Sequence, residues 1–375
     1  VRGNGAVLLL SGLPLDRKPS FYRQLDSLAA VWRQRRRSVF LGGPVCPDPE
    51  SRMRQSAWGG EAAPALQWRL EGSAGKSLCF EALVAPIGPE AVIALGYPDQ
   101  FPFLHGAPIP CYLWAQFSRP PRQVLPETPI YIPLTQKTAS HLRAVGCCKI
   151  GPIIPHGVDT RRFSPLSGAE RKRLRRPHGC ADTFVVGTVG NNSRRKRLDL
   201  IVRSFALLSR HRSASRLLIK TNRPASPGGV DLPALIARED VGDKVEIIAT
   251  ELGEGEMVEL YNRMDLFLNL SEWEGFCIPV IEAMACGVPV LSPPIQGPGE
   301  ILPYSDTLVA GGLFHQQDGT LLYQADPQAV CRVLVALADG RRLGERLRRA
   351  GRDAALSRYD IRRIAAQWED VFQRM

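Results

Sequence analysis

The sequence predicts an α/β protein made of two parallel-sheet domains. Short apolar runs alternate with amphipathic stretches along most of the chain, the pattern of buried strands joined by helical crossovers. At 375 residues the chain exceeds one ordinary core and calls for two domains of middling size. The same strand–helix rhythm recurs in both halves, which suits two Rossmann-like units binding ligands at the carboxyl ends of their strands. Hydrophobic residues make up 44% and charged residues 23%, so global disorder is excluded. No heptad run persists, glycine and proline are unphased, and no apolar stretch approaches a bilayer span.

In the first half, strands are expected at 6–10, 38–41, 91–95, 111–114, 130–132 and 150–154. Helices are expected at 21–32, where Phe21, Leu25, Leu28, Ala29 and Trp32 recur at helical spacing, and at 135–145, with Gly146 just beyond the end. Residues 46–76 are rich in Gly, Pro and Ser and read as irregular. Between 164 and 181 the hydrophobic pattern lapses and positive charge takes over, the mark of a linker. In the second half, strands fall at 184–189, 216–220, 245–249, 266–270 and 288–291, and helices at 198–209, 232–238, 255–264 and 279–286. The tail from 328 reads as three consecutive helices.

Nine cysteines, an odd number, show no C-x-x-C pair and no finger pattern. Most lie in apolar runs, where a free thiol packs as a small hydrophobe. The first eleven residues lack the pattern of a secretory signal, so a reducing, cytoplasmic setting is expected.

The net charge is +11, and residues 1–155 carry +7 of it (17 basic, 10 acidic). Two basic clusters stand out, at 33–37 and 171–176. Neither has interleaved aromatics or a reading motif, which argues against nucleic acid as a partner. Solvated helix faces are the plain reading. Attraction to anionic lipid or to a phosphorylated ligand is the functional one, and it would put the protein on the inner face of a membrane.

Several signals fail. Gly72-Ser73-Ala74-Gly75-Lys76-Ser77 lacks the first glycine of a phosphate loop, since that position is Leu70. Gly3-Asn4-Gly5 has Leu8 where a dinucleotide fingerprint needs its third glycine. No Asp-x-Asp occurs and no His/Cys/carboxylate set has metal-ligand spacing, so no metal or other cofactor is expected.

The informative stretch runs from Ser271 to Val290. A strand ends near Leu270, a loop follows to Cys277, and a helix begins with Pro279 in its first turn and stops at Gly287. The amides of Phe276, Cys277 and Ile278, with Gly275 before them, then sit at a helix N-terminus, ready for phosphate oxygens. Glu282, one turn in, would repel phosphate and is better suited to accepting ribose hydroxyls. Glu274, on the loop, can reach a second hydroxylated ring. Alone, each feature could be ordinary capping, with Glu282 a first-turn glutamate favoured by the dipole.

Taken together these residues resemble the Glu-x7-Glu motif of retaining GT-B glycosyltransferases, and the surrounding sequence is similar to their family 4. Ile153-Ile154-Pro155-His156-Gly157-Val158-Asp159 with Arg162-Phe163 resembles the family's interdomain signature, with His156 read as structural. Gly187-Thr188-Val189-Gly190 with Arg195-Lys196-Arg197 resembles its phosphate-binding turn, and Tyr261 to Phe267 the approach to the Glu motif. The likeness covers roughly residues 130–305. It implies two Rossmann-like domains facing a central cleft: 1–160 for the acceptor, with helix 361–375 packing back onto it through Trp368 and Phe372, a linker at 161–180, and 181–360 for the donor.

By that resemblance the chain moves a sugar from a nucleotide-diphosphate donor, by default a uridine diphosphate sugar, to an acceptor hydroxyl, with retention and without metal. Glu282 would bind ribose, Glu274 the transferred sugar, and Lys196 the departing diphosphate. Relatives carry an arginine where this chain has Asn191, so Arg194 or Arg195 is expected to substitute. Gly12, Thr221 and Asn222 are expected near the donor. His105 and Gln116 are the candidates for the acceptor side, whose ligand would be a saccharide, a lipid-linked sugar or a natural product. A sugar-nucleotide epimerase and an inactive nucleotide-sugar binding subunit are the other readings.

Overall fold

The computed structural model describes residues 6–12, 20–44, 66–68, 84, 87–117, 129–304, 311–315 and 321–374. The chain divides into two compact units, Val1–Gly157 with Ile361–Met375, and Val158–Asp360. The phosphate-loop lookalike and all of the irregular 46–76 stretch except residues 66–68 lie outside the described residues.

The first unit is built on β1 (Val7–Ser11), α1 (Ser20–Gln34), β2 (Val39–Pro44), β3 (Leu66–Trp68), β4 (Ala91–Gly96), β5 (Cys111–Ala115), β6 (Ile130–Pro133) and α2 (Gln136–Ala144). Its sheet has the order β3-β2-β1-β4-β5-β6, and every pairing is parallel. β1, β4 and β5 are buried at every position, which is why they read as continuous apolar runs rather than alternating ones. α2 starts where Thr135 accepts from the Thr138 N–H at 3.1 Å, a side-chain N-cap.

Two expectations change here. The irregular stretch contains β3, which pairs beside β2 at the sheet edge; three residues are too few for a periodic signal. Residues 150–154 form no strand, only an Ile150–Tyr131 bridge. Pro152 and Pro155 have no N–H to give to a ladder.

The terminal helix, Ile361–Arg374, belongs to this unit. Trp368 is fully buried and meets Trp114 and Tyr112 edge-on at 5.5 and 5.9 Å. Phe372 lies 5.7 Å from Trp32, so both aromatics pack as expected. The 33–37 basic cluster is partly turned onto its own chain. Arg35 pairs with Glu369 at 2.8 Å, and the Arg37 guanidinium sits 5.0 Å from the Phe372 ring.

The second unit contains α3 (Gly168–Arg175), β7 (Phe184–Val189), α4 (Leu198–His211), β8 (Ser215–Lys220), α5 (Leu232–Arg238), β9 (Val245–Ile248), α6 (Glu254–Arg263), β10 (Leu266–Leu268), α7 (Ile278–Ala285), β11 (Val290–Leu291), α8 (Pro298–Ile301), β12 (Gly311–His315), β13 (Leu321–Ala325), α9 (Pro327–Asp339) and α10 (Arg341–Arg358); α11 (Ile361–Arg374) follows. Its parallel sheet runs β11-β10-β7-β8-β9. In both units strand order reverses beside the first strand, and in the second unit that switch point lies between β7 and β10. β12 and β13 form an antiparallel hairpin that the sequence reading did not include.

The expected linker is folded. Ser167 and Glu170 form a reciprocal capping box that starts α3. Arg171 and Arg175 on that helix reach Asp265, at 2.8 and 3.0 Å, and Asp265 also accepts from the Val185 N–H at 2.8 Å. The basic cluster thus has one working face, paired across some ninety residues, and a solvated one. Local charge alone does not reveal such a partner.

Burial opposes the charge on Asp265, yet Arg171 and Arg175 outweigh it and hold the carboxyl below its ordinary range. A depressed carboxylate contributes stability that is whole above its unfolded value and lost as pH falls through its folded one. Asp265→Ala should therefore cost about 3–5 kcal/mol, the usual loss when a buried pair is broken. It should also flatten the acid limb of stability, both read by urea unfolding across pH.

Candidate active site in the second unit

The loops that follow β7 and β10 meet at the switch point, the place where open α/β sheets bind ligands. Their contact is direct: the Glu272 N–H donates to the Arg195 carbonyl at 2.8 Å. The β7 loop makes a short 3-10 turn over Arg194–Lys196. Gly190 lets this turn fold back, since a Cβ there would stand 3.1 Å from the Lys196 side chain.

Glu274 is the centre of the site. It is 5% exposed, and one oxygen, Oε1, takes Lys196 Nζ at 2.5 Å, Arg195 at 2.7 Å and the Ser271 hydroxyl at 2.9 Å. Burial opposes its charge, but Lys196 first and then Arg195 hold the carboxyl below its usual range. Arg195 is itself fixed. It donates to the Trp273 carbonyl at 3.3 Å and lies 4.9 Å from that indole's centre. These bonds leave further N–H donors on both cations. Arg197 closes the turn in a left-handed conformation, bridging Glu272 at 2.9 Å and Asp199 at 3.0 Å.

The β10 loop leads into α7. Cys277 is the N-cap with φ of 81°, a left-handed backbone that costs a side-chain-bearing residue about 1–2 kcal/mol. The Cys277 and Ile278 N–H groups have no hydrogen-bond partner among the described residues, as expected of a helix start. Phe276 is buried against Tyr359 at 6.1 Å. Gly297, at φ of 81°, backs onto the Phe276 carbonyl so closely that a Cβ would collide with it. Gly287 ends the helix at φ of 67°, as its position predicts. Burial, then Glu274, push the Cys277 thiol up to about 12, so it stays protonated.

Glu282 is half-buried on the first turns of α7, and its Oε2 accepts the Tyr261 hydroxyl at 2.6 Å. Thr221, just past β8, is 1% exposed and its hydroxyl has no partner among the described residues. Asn222 is exposed next to it.

Asn191 and Arg194 are both exposed, and of the two arginines Arg195 is the one that reaches Glu274. Gly12 lies in the first unit, where its carbonyl accepts from Gln100 Nε2 at 3.0 Å. Gln116 is taken by His156, at 3.3 Å, while His105 sits on an exposed turn. His156 is fully buried, and that burial pushes it down to about 3, so it is a neutral structural residue as read.

Sequence reading missed Ser271, Trp273, Tyr261 and Asn192. The first three lie within segments that drew attention for their glutamates and apolar residues. Asn192 carries no motif; it is 5% exposed and its amide donates to the Val230, Arg223 and Pro224 carbonyls at 2.6, 3.0 and 3.2 Å while accepting from the Val230 N–H at 3.0 Å. It thereby ties the β8 loop to the β7 loop.

Residues 170–353 match the family described as glycosyl transferases group 1. That segment, just under half of the chain, is similar to the group 1 glycosyl transferases. Over 228 residues the chain is 27% identical to the lipopolysaccharide core biosynthesis mannosyltransferase LpsB of Rhizobium meliloti, covering 59% of this chain and 61% of that protein. Over 145 residues it is 32% identical to a D-inositol 3-phosphate glycosyltransferase of Corynebacterium jeikeium, covering 37% of this chain and 34% of that one. The chain thus spans only part of the curated relatives it matches. Among solved structures, HepE of Anabaena with UDP and glucose superposes with a TM-score of 0.74 at 15% identity, over 99% of this chain and 100% of that one. WaaG, a glycosyltransferase involved in lipopolysaccharide biosynthesis, gives 0.66 at 14% identity, over 98% of each chain. These likenesses show the fold, GT-B, with its two α/β units.

Asn192→Ala should release the β8 loop. Hydrogen exchange over residues 222–230 should quicken about tenfold or more, with a global loss of about 1–3 kcal/mol.

Proposed function

We propose that the chain is a metal-independent, retaining glycosyltransferase that moves a sugar from a nucleoside diphosphate sugar to an acceptor hydroxyl. One observation carries this reading: Lys196, Arg195 and the free amides of α7 converge beside Glu274 at the switch point of the second sheet. Positive charge from side chains and helix dipole is what a departing diphosphate needs as the bond between it and the sugar breaks. Glu282, near the start of the same helix, suits the ribose, and Glu274, on the loop before it, suits the transferred sugar. The acceptor oxygen attacks from the face that the diphosphate leaves, and its proton passes to a diphosphate oxygen.

UDP is the first donor base to test, since HepE is solved with UDP. The likeness to a lipopolysaccharide core mannosyltransferase and to a D-inositol 3-phosphate glycosyltransferase supports a polyhydroxylated acceptor, with a saccharide or lipid-linked sugar the first to test. No helix among the described residues is long and apolar enough to cross a membrane. We assign a cytoplasmic setting, with the exposed Arg36 of the 33–37 cluster available for peripheral contact.

A thermal-shift panel of nucleoside diphosphates should single out one base. Lys196→Ala should lower kcat about 100- to 1000-fold, and Glu274→Ala should lower it comparably with the fold intact by circular dichroism. Unchanged turnover in either variant would reject the assignment. Epimer formation without acceptor, or donor binding with no transfer to any acceptor, would replace it with another reaction or with none.

A further inference from the structure

Tyr261, near the end of α6, is fully buried. Its ring is wedged between Phe163 and Phe267, with centroids 6.2 and 6.0 Å away. The hydroxyl emerges from this apolar setting at one place and donates to Glu282 Oε2 at 2.6 Å. Its partner is only half-buried. A phenol locked by aromatic neighbours has almost no rotamer freedom, whereas a glutamate on a helix surface samples several states. The bond therefore passes the rigidity of the α6 core to a carboxylate at the mouth of α7.

We infer that Tyr261 is a positioning residue for the donor ribose: by pinning one oxygen of Glu282 it presents the carboxylate in a single orientation and sets the preference for ribo- over deoxyribonucleoside diphosphates. This inference rests on the donor-site reading above. A carboxylate ordered on folding does not have to be ordered again on binding, so a ligand that uses it gains affinity. A ligand without the matching hydroxyl leaves a fixed acceptor unpaired and is rejected. Without the phenol the carboxylate can turn to water, and both the gain and the rejection fade.

The test is calorimetric binding of UDP, 2′-deoxy-UDP and 3′-deoxy-UDP to the full chain and its variants. The wild type should prefer UDP over at least one deoxy form by about tenfold or more. Tyr261→Phe keeps the ring and should weaken UDP about 5- to 10-fold while leaving that deoxy form within about twofold. Glu282→Asp, which draws the carboxylate back from the phenol without touching the core, should erase the preference in the same way. In Tyr261→Phe/Glu282→Gln the two losses should not add. Equal weakening of all three ligands by Tyr261→Phe would reduce the residue to packing and overturn the inference, as would unchanged UDP affinity. If Glu282→Gln itself leaves UDP binding untouched, the donor site is misplaced and the inference falls with it. If Glu282→Gln weakens UDP and Tyr261→Phe does not, the inference alone falls.

Discussion

One buried oxygen organises the donor face of this protein. Oε1 of Glu274 receives an ammonium and a guanidinium from the turn after β7 and a hydroxyl from the loop after β10. A carboxylate this deep could not stay charged alone, so the loops must close around it. In closing they bring Lys196 and Arg195 beside the first amides of α7. The cations are held in place before any ligand arrives, and preorganised charge of this kind stabilises a transition state without reorganising during the reaction.

The backbone adds its own contribution. Cys277 adopts a left-handed conformation that a side chain ordinarily avoids, and Gly297 backs the preceding carbonyl at a distance only glycine allows. Left-handed residues next to a helix start gather successive N–H groups into a concavity suited to anions. Strain, amides and cations thus coincide at one corner of the sheet, where local rules are broken for a common purpose.

Much of this was legible in the sequence, for identifiable reasons. β10 and the middles of β7 and β8 are buried, and the short apolar runs at their centres mark all three strands. The start of α7 is marked by Pro279 and its end by Gly287, and the two glutamates are spaced to flank it. What stayed hidden is long-range. Asp265 turns the apparent linker into α3 by pairing with Arg171 and Arg175, and Asn192 stitches two loops with hydrogen bonds that no periodicity encodes. The choice of Arg195 over Arg194 depends on the pitch of a single 3-10 turn. β3, with three residues, and the hairpin β12–β13 are too short or too edge-like to register as patterns.

The most direct measurement is a crystal structure of the chain with UDP bound. The account predicts diphosphate oxygens within hydrogen-bond distance of Lys196 Nζ and of the N–H groups at Cys277 and Ile278, with the ribose hydroxyls on Glu282. A diphosphate bound elsewhere on the chain, with Lys196 Nζ and those amides untouched by it, would contradict it.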